Sequence, residues 1–291
     1  MAGKVEFDAN SDVISRIHKA YPRLSKQHKN IADYITGNLE KASYMTINLL
    51  AENTSTSVAT VLRLTTLLGY EGYPEFRRAL KNSSKSALTT LQRIDMPGFE
   101  SYSFESIREV LRHDMQNIKD TVDELDSDEF DRARNAIKNA RTVYLMASRT
   151  SSFLVEYLAY YLNLLLGGNV KIANDGHKEP LEVLMHATSE DAVVVLSFPR
   201  YSAETVKAIE YAKKKSPKII GITDLTTSPI YSLCDYVLLA KSNIISFVDT
   251  LIAPLSLLNA IIIGVGLIDK ENTRRVYAEL ESMWEENEIY K

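Results

Sequence analysis

The sequence predicts an α/β protein: an N-terminal all-α segment joined to a doubly wound domain on a five-stranded parallel sheet. Apolar residues recur at helical spacing through the first third of the 291 residues. Beyond residue 141 the period changes to short, mostly β-branched runs, TVYLMA, NVKIA, AVVVLSF, KIIGITD and YVLLA, separated by amphipathic stretches such as SSFLVEYLAYYLNLLL and AETVKAIEYAKKK. Continuous apolar strands alternating with helices are the pattern of a parallel sheet covered on both faces. A composition of 45% hydrophobic and 25% charged residues suits a globular chain with a large core divided into two domains, and argues against disorder.

Taken in order, LSKQHKNIADYITGNLE places Leu24, His28, Ile31, Ile35 and Leu39 at helical spacing. MTINLLAENTSTSVATVLRLTTLLGYEGYPEFRRALK then reads as a short helix, a polar turn at residues 53–55 and a longer helix from about Ser57 to Leu68. Gly69 stops that helix, and another begins near Pro74, a good first-turn residue. Two helices joined by a tight turn have the layout of a helix-turn-helix. From residue 81 to 102 the polar content rises (KNSSKS, MPG), so a linker begins there. Helices are expected near 104–124 and 127–140. The assigned spans are 1–81 for the helix-turn-helix domain, 82–125 for a linker and connecting helix, and 126–291 for the sheet domain.

Charge is segregated. The formal net charge is −4, yet between Arg16 and Arg93 twelve basic residues stand against five acidic ones, a net +7, while residues 1–15 carry −2 and the remainder −9. A basic head on an acidic body is the distribution expected if the head alone meets a polyanion. With Cys234 the only cysteine, no intramolecular disulfide and no paired-cysteine metal site can form, and a reducing, cytoplasmic home fits best; no metal or cofactor is expected. The N-terminus MAGKVEFDANSDV is charged and has no apolar core, unlike a signal peptide or anchor. TLIAPLSLLNAIIIGVGLID approaches the length of a bilayer span, but Pro254, Ser256 and Asn259 argue for a buried or interface helix and against membrane insertion.

Two groups of residues carry chemistry. In STSVATVLR, a helix starting at Ser57 puts Ser57, Thr60 and Arg63 near an exposed face while Val58, Val61 and Leu62 can pack inward. Short hydroxyl side chains with one arginine suit close approach to base edges and phosphates. The same residues also suit a solvated face with Ser57 as N-cap. In the sheet domain, the first strand runs into ASRTSS and the third into SFPRYSAET, each before a helix. Hydroxyls at the carboxyl ends of parallel strands, facing helix N-termini, make an anion site. If strand order reverses between these strands, Ser151, Ser152, Ser197, Ser202 and Thr205 surround a phosphate, with Arg149 or Arg200 adding charge; taken singly, Ser202 with Thr205 can equally be helix capping.

Residues 24–81, notably MTINLLAENTSTSVATVLRLTTLLGYEGYPEFR, resemble the N-terminal helix-turn-helix of RpiR-type bacterial transcriptional regulators, and residues from about 142 to 268 look like a SIS (sugar isomerase) domain, which in that family senses phosphorylated sugars. Ser57, Ala59, Thr60, Val61 and Arg63 match the family pattern, while Ser55 stands where a turn glycine is usual. The resemblance implies DNA contacts by Thr46, Thr56, Ser57, Ala59, Thr60 and Arg63. Where the family's first loop reads Gly-x-Gly-x-Ser, this chain has Ala147, Arg149 and Ser151; where the second reads Ser-x-Ser-Gly-x-Thr, Ser197 aligns and FPRYSAET is a variant arm. GITDLTTSPI matches the next strand and its Ser-Pro turn.

The expected function is that of a DNA-binding transcription factor of carbohydrate metabolism, not an enzyme, whose affinity for a double-stranded operator is set by a phosphorylated sugar. It is expected to act as a homodimer or homotetramer paired through apolar helices such as 251–268. Two alternatives stay open: a sugar-phosphate isomerase using His177, Glu179, Glu182 or His186 as base, and a regulator whose sheet domain serves only to dimerise.

Overall fold

The computed structural model describes residues 12–87, 94, 103–173, 179–244 and 247–290. The chain forms two compact units: one holds the residues up to 113 with short segments at 225–227 and 243–250, the other holds 114–224, 228–242 and 251–291.

The first unit contains six helices among its described residues before 88: α1 (Val13–Ala20), α2 (Lys26–Gly37), α3 (Leu39–Tyr44), α4 (Ile47–Asn53), α5 (Val58–Leu67) and α6 (Tyr73–Ala87). Side-chain caps start four of them: Asp12, Ser25, Thr46 and Ser57 each accept from the backbone N–H three residues on, satisfying one orphan donor of the first turn. Val13, Ile17, Ile31, Ile35, Leu50, Val61, Leu64, Leu68, Phe76 and Leu80 form one core. Arg16, buried at its edge, donates from Nη1 to the Leu68 carbonyl at 3.2 Å, meeting an acceptor left over at the end of α5, and its guanidinium lies over the Tyr70 ring. The polar KNSSKS run, expected to open a linker, does not interrupt α6, which continues to Ala87.

Between α4 and α5 the turn has a defined cause. Thr56 N donates to the Ala51 carbonyl at 2.9 Å and Ser55 N to that of Glu52 at 3.1 Å, the paired bonds of a Schellman motif. That motif needs a left-handed residue, and Ser55 occupies it at φ 51°. A serine there carries a steric cost that glycine does not.

The connecting helix α7 spans Phe104–Glu124, and α8 (Ser127–Asn139) leads into the sheet. The strands are β1 (Val143–Ala147), β2 (Val170–Ile172), β3 (Ala192–Leu196), β4 (Lys218–Thr223) and β5 (Tyr236–Leu239), all parallel and ordered β2-β1-β3-β4-β5. Interleaved are α9 (Ser152–Leu165), α10 (Pro180–Leu184) and α11 (Ala203–Lys213), followed by α12 (Ile252–Ile268) and α13 (Lys270–Glu286).

Alternation along the strands sorts the core into two layers. Val143, Leu145, Ala147, Val194 and Leu196 pack with α8, α9 and α12, while Tyr144, Met146, Val193 and Val195 pack with α10 and α11. This two-faced burial is why the strands read as unbroken apolar runs. The long apolar segment is α12: Ala253, Leu257, Leu258, Ile261 and Val265 are buried in the first layer, and Ile263 and Leu267 face outward. Among the described residues no single helix is long and apolar enough to cross a membrane.

At the amino ends of β1 and β3, Arg141 clamps Asp191 with Nε and Nη2 at 3.1 and 2.8 Å, and Thr188 donates to the same carboxylate from its backbone N and Oγ1 at 2.7 and 2.9 Å. Burial pushes the Asp191 carboxyl up, but the Arg141 and Thr188 hydrogen bonds outweigh it and hold it below its ordinary value. A depressed folded pKa contributes stability above the unfolded pKa, and that contribution is lost as pH falls through the folded one.

Two stability outcomes follow from these contacts. Asp191→Ala lowers the unfolding free energy by about 1–3 kcal/mol in urea melts at pH 7, less than for a fully buried pair because Arg141 is half exposed to screening solvent. The difference from wild type shrinks once the pH drops below the ordinary aspartate range; a loss under about 0.5 kcal/mol at pH 7 contradicts the clamp. Ser55→Gly raises stability by about 0.5–1 kcal/mol by relieving the left-handed serine, net of the extra unfolded-state entropy of glycine; a lower melting temperature contradicts that account of the turn.

Candidate functional site

The helix-turn-helix face is set by which side of α5 meets the core. Val61, Leu64 and Leu68 point inward at spacings of three and four. The outward residues are then Val58, Ala59, Leu62, Arg63 and Thr66. This corrects two expectations. Thr60 lies inward, only 8% exposed, and Val58 and Leu62 lie outward, Leu62 at 43%. Thr60 tolerates burial because its hydroxyl is matched to Ser57 Oγ at 2.8 Å.

Thr46 and Ser57 are exposed and serve as N-caps of α4 and α5, accepting from Leu49 N and Thr60 N at 3.3 and 3.2 Å. Thr56 is half-buried, its hydroxyl 2.9 Å from that of Thr54, which in turn donates to the Leu50 carbonyl. Ala59 and Arg63 are exposed on the outer face. Burial, then the neighbouring Arg63 charge, lower the pKa of His28 on α2.

In the sheet domain the strand order does reverse between β1 and β3. The chain leaves β1 through α9 toward β2 on one side, and returns to place β3 on the other, with Ala147 in register with Leu196. Such a switch point opens a crevice between the turns at the carboxyl ends. α9 covers one sheet face and α11 the other, so their N-termini flank the crevice from opposite sides. Arg149 and Arg200 are both exposed and both left-handed, at φ 58° and 61°. That is backbone a glycine takes without cost, and at both positions a guanidinium side chain stands there instead. Neither arginine has an ion-pair partner among the described residues.

The hydroxyls divide by burial and partner. Ser151 is buried at the entry to α9, and Ser152 Oγ bonds the Arg149 carbonyl, bracing the first turn. Ser197 is buried and belongs to the sheet: its N donates to the Ile222 carbonyl at 3.0 Å, and its carbonyl accepts from Thr223 Oγ1 at 2.6 Å. Ser202 is half-buried at the N-cap of α11, and its side chain makes no capping bond there. Thr205 is buried, its Oγ1 2.9 Å from Ser148 Oγ, tying α11 to the β1 turn.

Three residues that the pattern did not single out organise the second turn. Ser148 is one. Tyr201 donates its hydroxyl to Asp224 Oδ1 at 2.8 Å, anchoring the β3 turn to the end of β4. Asp224 is buried, and that burial pushes its carboxyl up to about 6 despite the Tyr201 bond and the Lys241 charge that favour ionisation. The only sequence signal for it is an acid closing an apolar strand in GITD. Of the residues considered as catalytic bases, Glu179, Glu182 and His186 are exposed at and around α10, and His177 lies outside the described residues. Among the described residues no cluster of His, Cys, Asp and Glu is arranged to hold a metal ion.

Comparison with known proteins agrees with this two-part construction. A helix-turn-helix domain of the rpiR family matches residues 11–87, and a SIS domain matches residues 136–264. An HTH-type transcriptional regulator of Clostridium perfringens is 25% identical over 226 residues, 77% of this chain and 80% of that protein. The regulator HexR of Pseudomonas aeruginosa is 24% identical over 265 residues, 88% of this chain and 90% of its own. Among solved structures, the Vibrio vulnificus NanR protein complexed with ManNAc-6P superposes with a TM-score of 0.57 at 23% identity, covering 92% of this chain and 97% of that one. The sugar isomerase domain of an RpiR transcription factor from Sphaerobacter thermophilus gives 0.56 at 21% identity, covering 60% and 97%. With the rpiR-type helix-turn-helix at its N-terminus and a SIS domain behind it, the chain belongs to the RpiR family of HTH-type transcriptional regulators.

Proposed function

We propose that this regulator binds a double-stranded operator through the outer face of α5 and that a phosphorylated sugar in the β1/β3 crevice changes its operator affinity. The observation that carries the reading is the convergence, on the two turns of one switch point, of two arginines, two helix N-termini and a set of hydroxyls. A phosphate dianion is the ligand such a cradle suits, since N–H groups and guanidinium act together on its oxygens. Arg149 and Arg200 supply charge, Ser151, Ser152 and Ser202 supply hydroxyls at the helix entries, and Ser197 and Thr205 hold the strand end and α11 in place. NanR, whose structure was solved with ManNAc-6P, supports a hexose phosphate as the class to test first.

On the DNA side, the net +7 of residues 16–93 draws the head to a polyanion. Arg63 reaches a guanine edge or a phosphate, Val58 and Ala59 offer apolar contact to thymine methyl groups, and Thr46, Thr56 and Ser57 lie by the turn where backbone phosphates pass. Thr60 holds the cap from inside. The chain works in the cytoplasm as a homodimer or homotetramer, so that two heads meet two half-sites. A ligand that changes operator affinity ten- to a hundredfold needs a coupling of about 1.4–2.7 kcal/mol between its two conformations.

Two variants test the two halves separately. Arg63→Ala weakens operator binding by about 1–3 kcal/mol at fixed salt, read by fluorescence anisotropy; unchanged affinity removes Arg63 from the interface. Arg149→Ala combined with Arg200→Ala abolishes the heat of hexose-phosphate binding in calorimetry while operator affinity stays at the wild-type value; undiminished sugar-phosphate binding in that variant overturns the crevice as the effector site.

A further inference from the structure

The connecting helix α7 is amphipathic with its polarity reversed. The face it turns to the sheet domain is polar: Asn117 and Thr121 are buried, Thr121 Oγ1 accepts from Lys241 N at 2.9 Å and donates to the Asn117 carbonyl at 2.8 Å, and Glu124 pairs with the Lys241 ammonium. The opposite face is apolar and open. Leu111, Met115 and Val122 are 61%, 69% and 65% exposed, Leu125 just beyond the helix is exposed, and Ile118 is half-buried. A helix that buries polar side chains and leaves its aliphatic ones in solvent has its apolar face available for another partner.

The spacing identifies that partner. Leu111, Met115, Ile118, Val122 and Leu125 follow the alternation of four and three that defines a heptad seam, with Met115 and Val122 at a positions and Leu111, Ile118 and Leu125 at d. Phe104 extends the d row by one heptad, and Arg108 at the intervening a position lays its guanidinium 4.8 Å from the Phe104 ring centre and pairs with Glu105 at 3.5 Å. The 21 residues of α7 make a stripe about 32 Å long. A heptad seam is complementary to itself, and the valine at one a position with leucine at two d positions suits two strands rather than three or four. Charge agrees: across a parallel pair, Asp114 at g stands opposite Lys119 at e of the other helix, and Glu109, Gln116 and Asp123 lie on the outside.

We infer that the exposed heptad face of α7, residues 104–125, is an interface with a second copy of this chain, formed as a parallel two-stranded coiled coil. The seam is separate from the outward face of α12 and does not rest on the DNA or sugar-phosphate assignments. Parallel pairing brings the N-terminal ends of both α7 helices to the same end of the seam.

The test uses the full-length chain in analytical ultracentrifugation and cysteine crosslinking. Cys234 gives little background, because burial pushes its thiol up to about 12 and keeps it protonated. Leu111→Cys, Met115→Cys and Val122→Cys are each expected to form a disulfide-linked dimer under mild oxidant, well above an outward Gln116→Cys control. Met115→Glu with Val122→Glu is expected to raise the dimer dissociation constant about tenfold or more with an unchanged far-UV circular dichroism spectrum, since both positions are solvent-facing within one chain. The inference is overturned by a wild-type chain that is monomeric, by seam cysteines that crosslink no better than the control, or by a dimer that survives both glutamates and dissociates with Leu267→Glu on α12. Crosslinking confined to one of the three seam positions overturns the parallel arrangement.

Discussion

The pairing of β1 with β3 at the middle of the sheet is the constraint on which the architecture of the sheet domain depends. Five consecutive residues of each strand run in register, Val143 with Ala192 through Ala147 with Leu196. Because the chain winds outward in opposite directions from that pair, the two turns that follow cannot be filled by a crossover helix and stay open. The Arg141–Asp191 clamp fixes the same two strands at their amino ends, while Ser148 with Thr205 and Tyr201 with Asp224 fix the turns at their carboxyl ends. Polar ties thus secure a dry strand pair at both ends.

Backbone strain recurs at the candidate site turns. Ser55, Arg149 and Arg200 all adopt left-handed backbone that glycine would take without cost, and all three lie at turns leading into a helix that carries candidate ligand contacts. At Arg149 and Arg200 the strained backbone carries an exposed guanidinium at the carboxyl end of its strand. At Ser55 no new contact is evident, and the paired Schellman bonds with the Thr54–Thr56 hydroxyl contact hold the turn regardless.

Much of this architecture was legible in the residues. The β-branched runs marked five strands because burial on both faces leaves no polar alternation to blur them, and the turns after the first and third were marked by their arginines and hydroxyls. The outer face of α5 departs from the sequence expectation at Thr60, Val58 and Leu62. Threonine reads as polar, yet Thr60 and Thr65 are buried with their hydroxyls bonded inside the head, to Ser57 Oγ and the Val61 carbonyl, so polarity alone gives the wrong phase. Asp224 escaped for another reason: its partner Tyr201 is 23 residues away and meets it only once β3 and β4 are side by side. The reversed polarity of α7 was equally hidden, since which face of a helix meets the body is decided by tertiary contacts such as Thr121 with Lys241.

The measurement that tests the account most directly is fluorescence anisotropy of the purified chain on DNA from upstream of its own gene, at fixed salt, titrated with hexose phosphates and with the same sugars lacking phosphate. The account predicts binding that is tight relative to scrambled DNA and that shifts about ten- to a hundredfold with a sugar phosphate but not with the free sugar. Binding no better than to scrambled DNA, or operator affinity indifferent to every sugar phosphate, would contradict it.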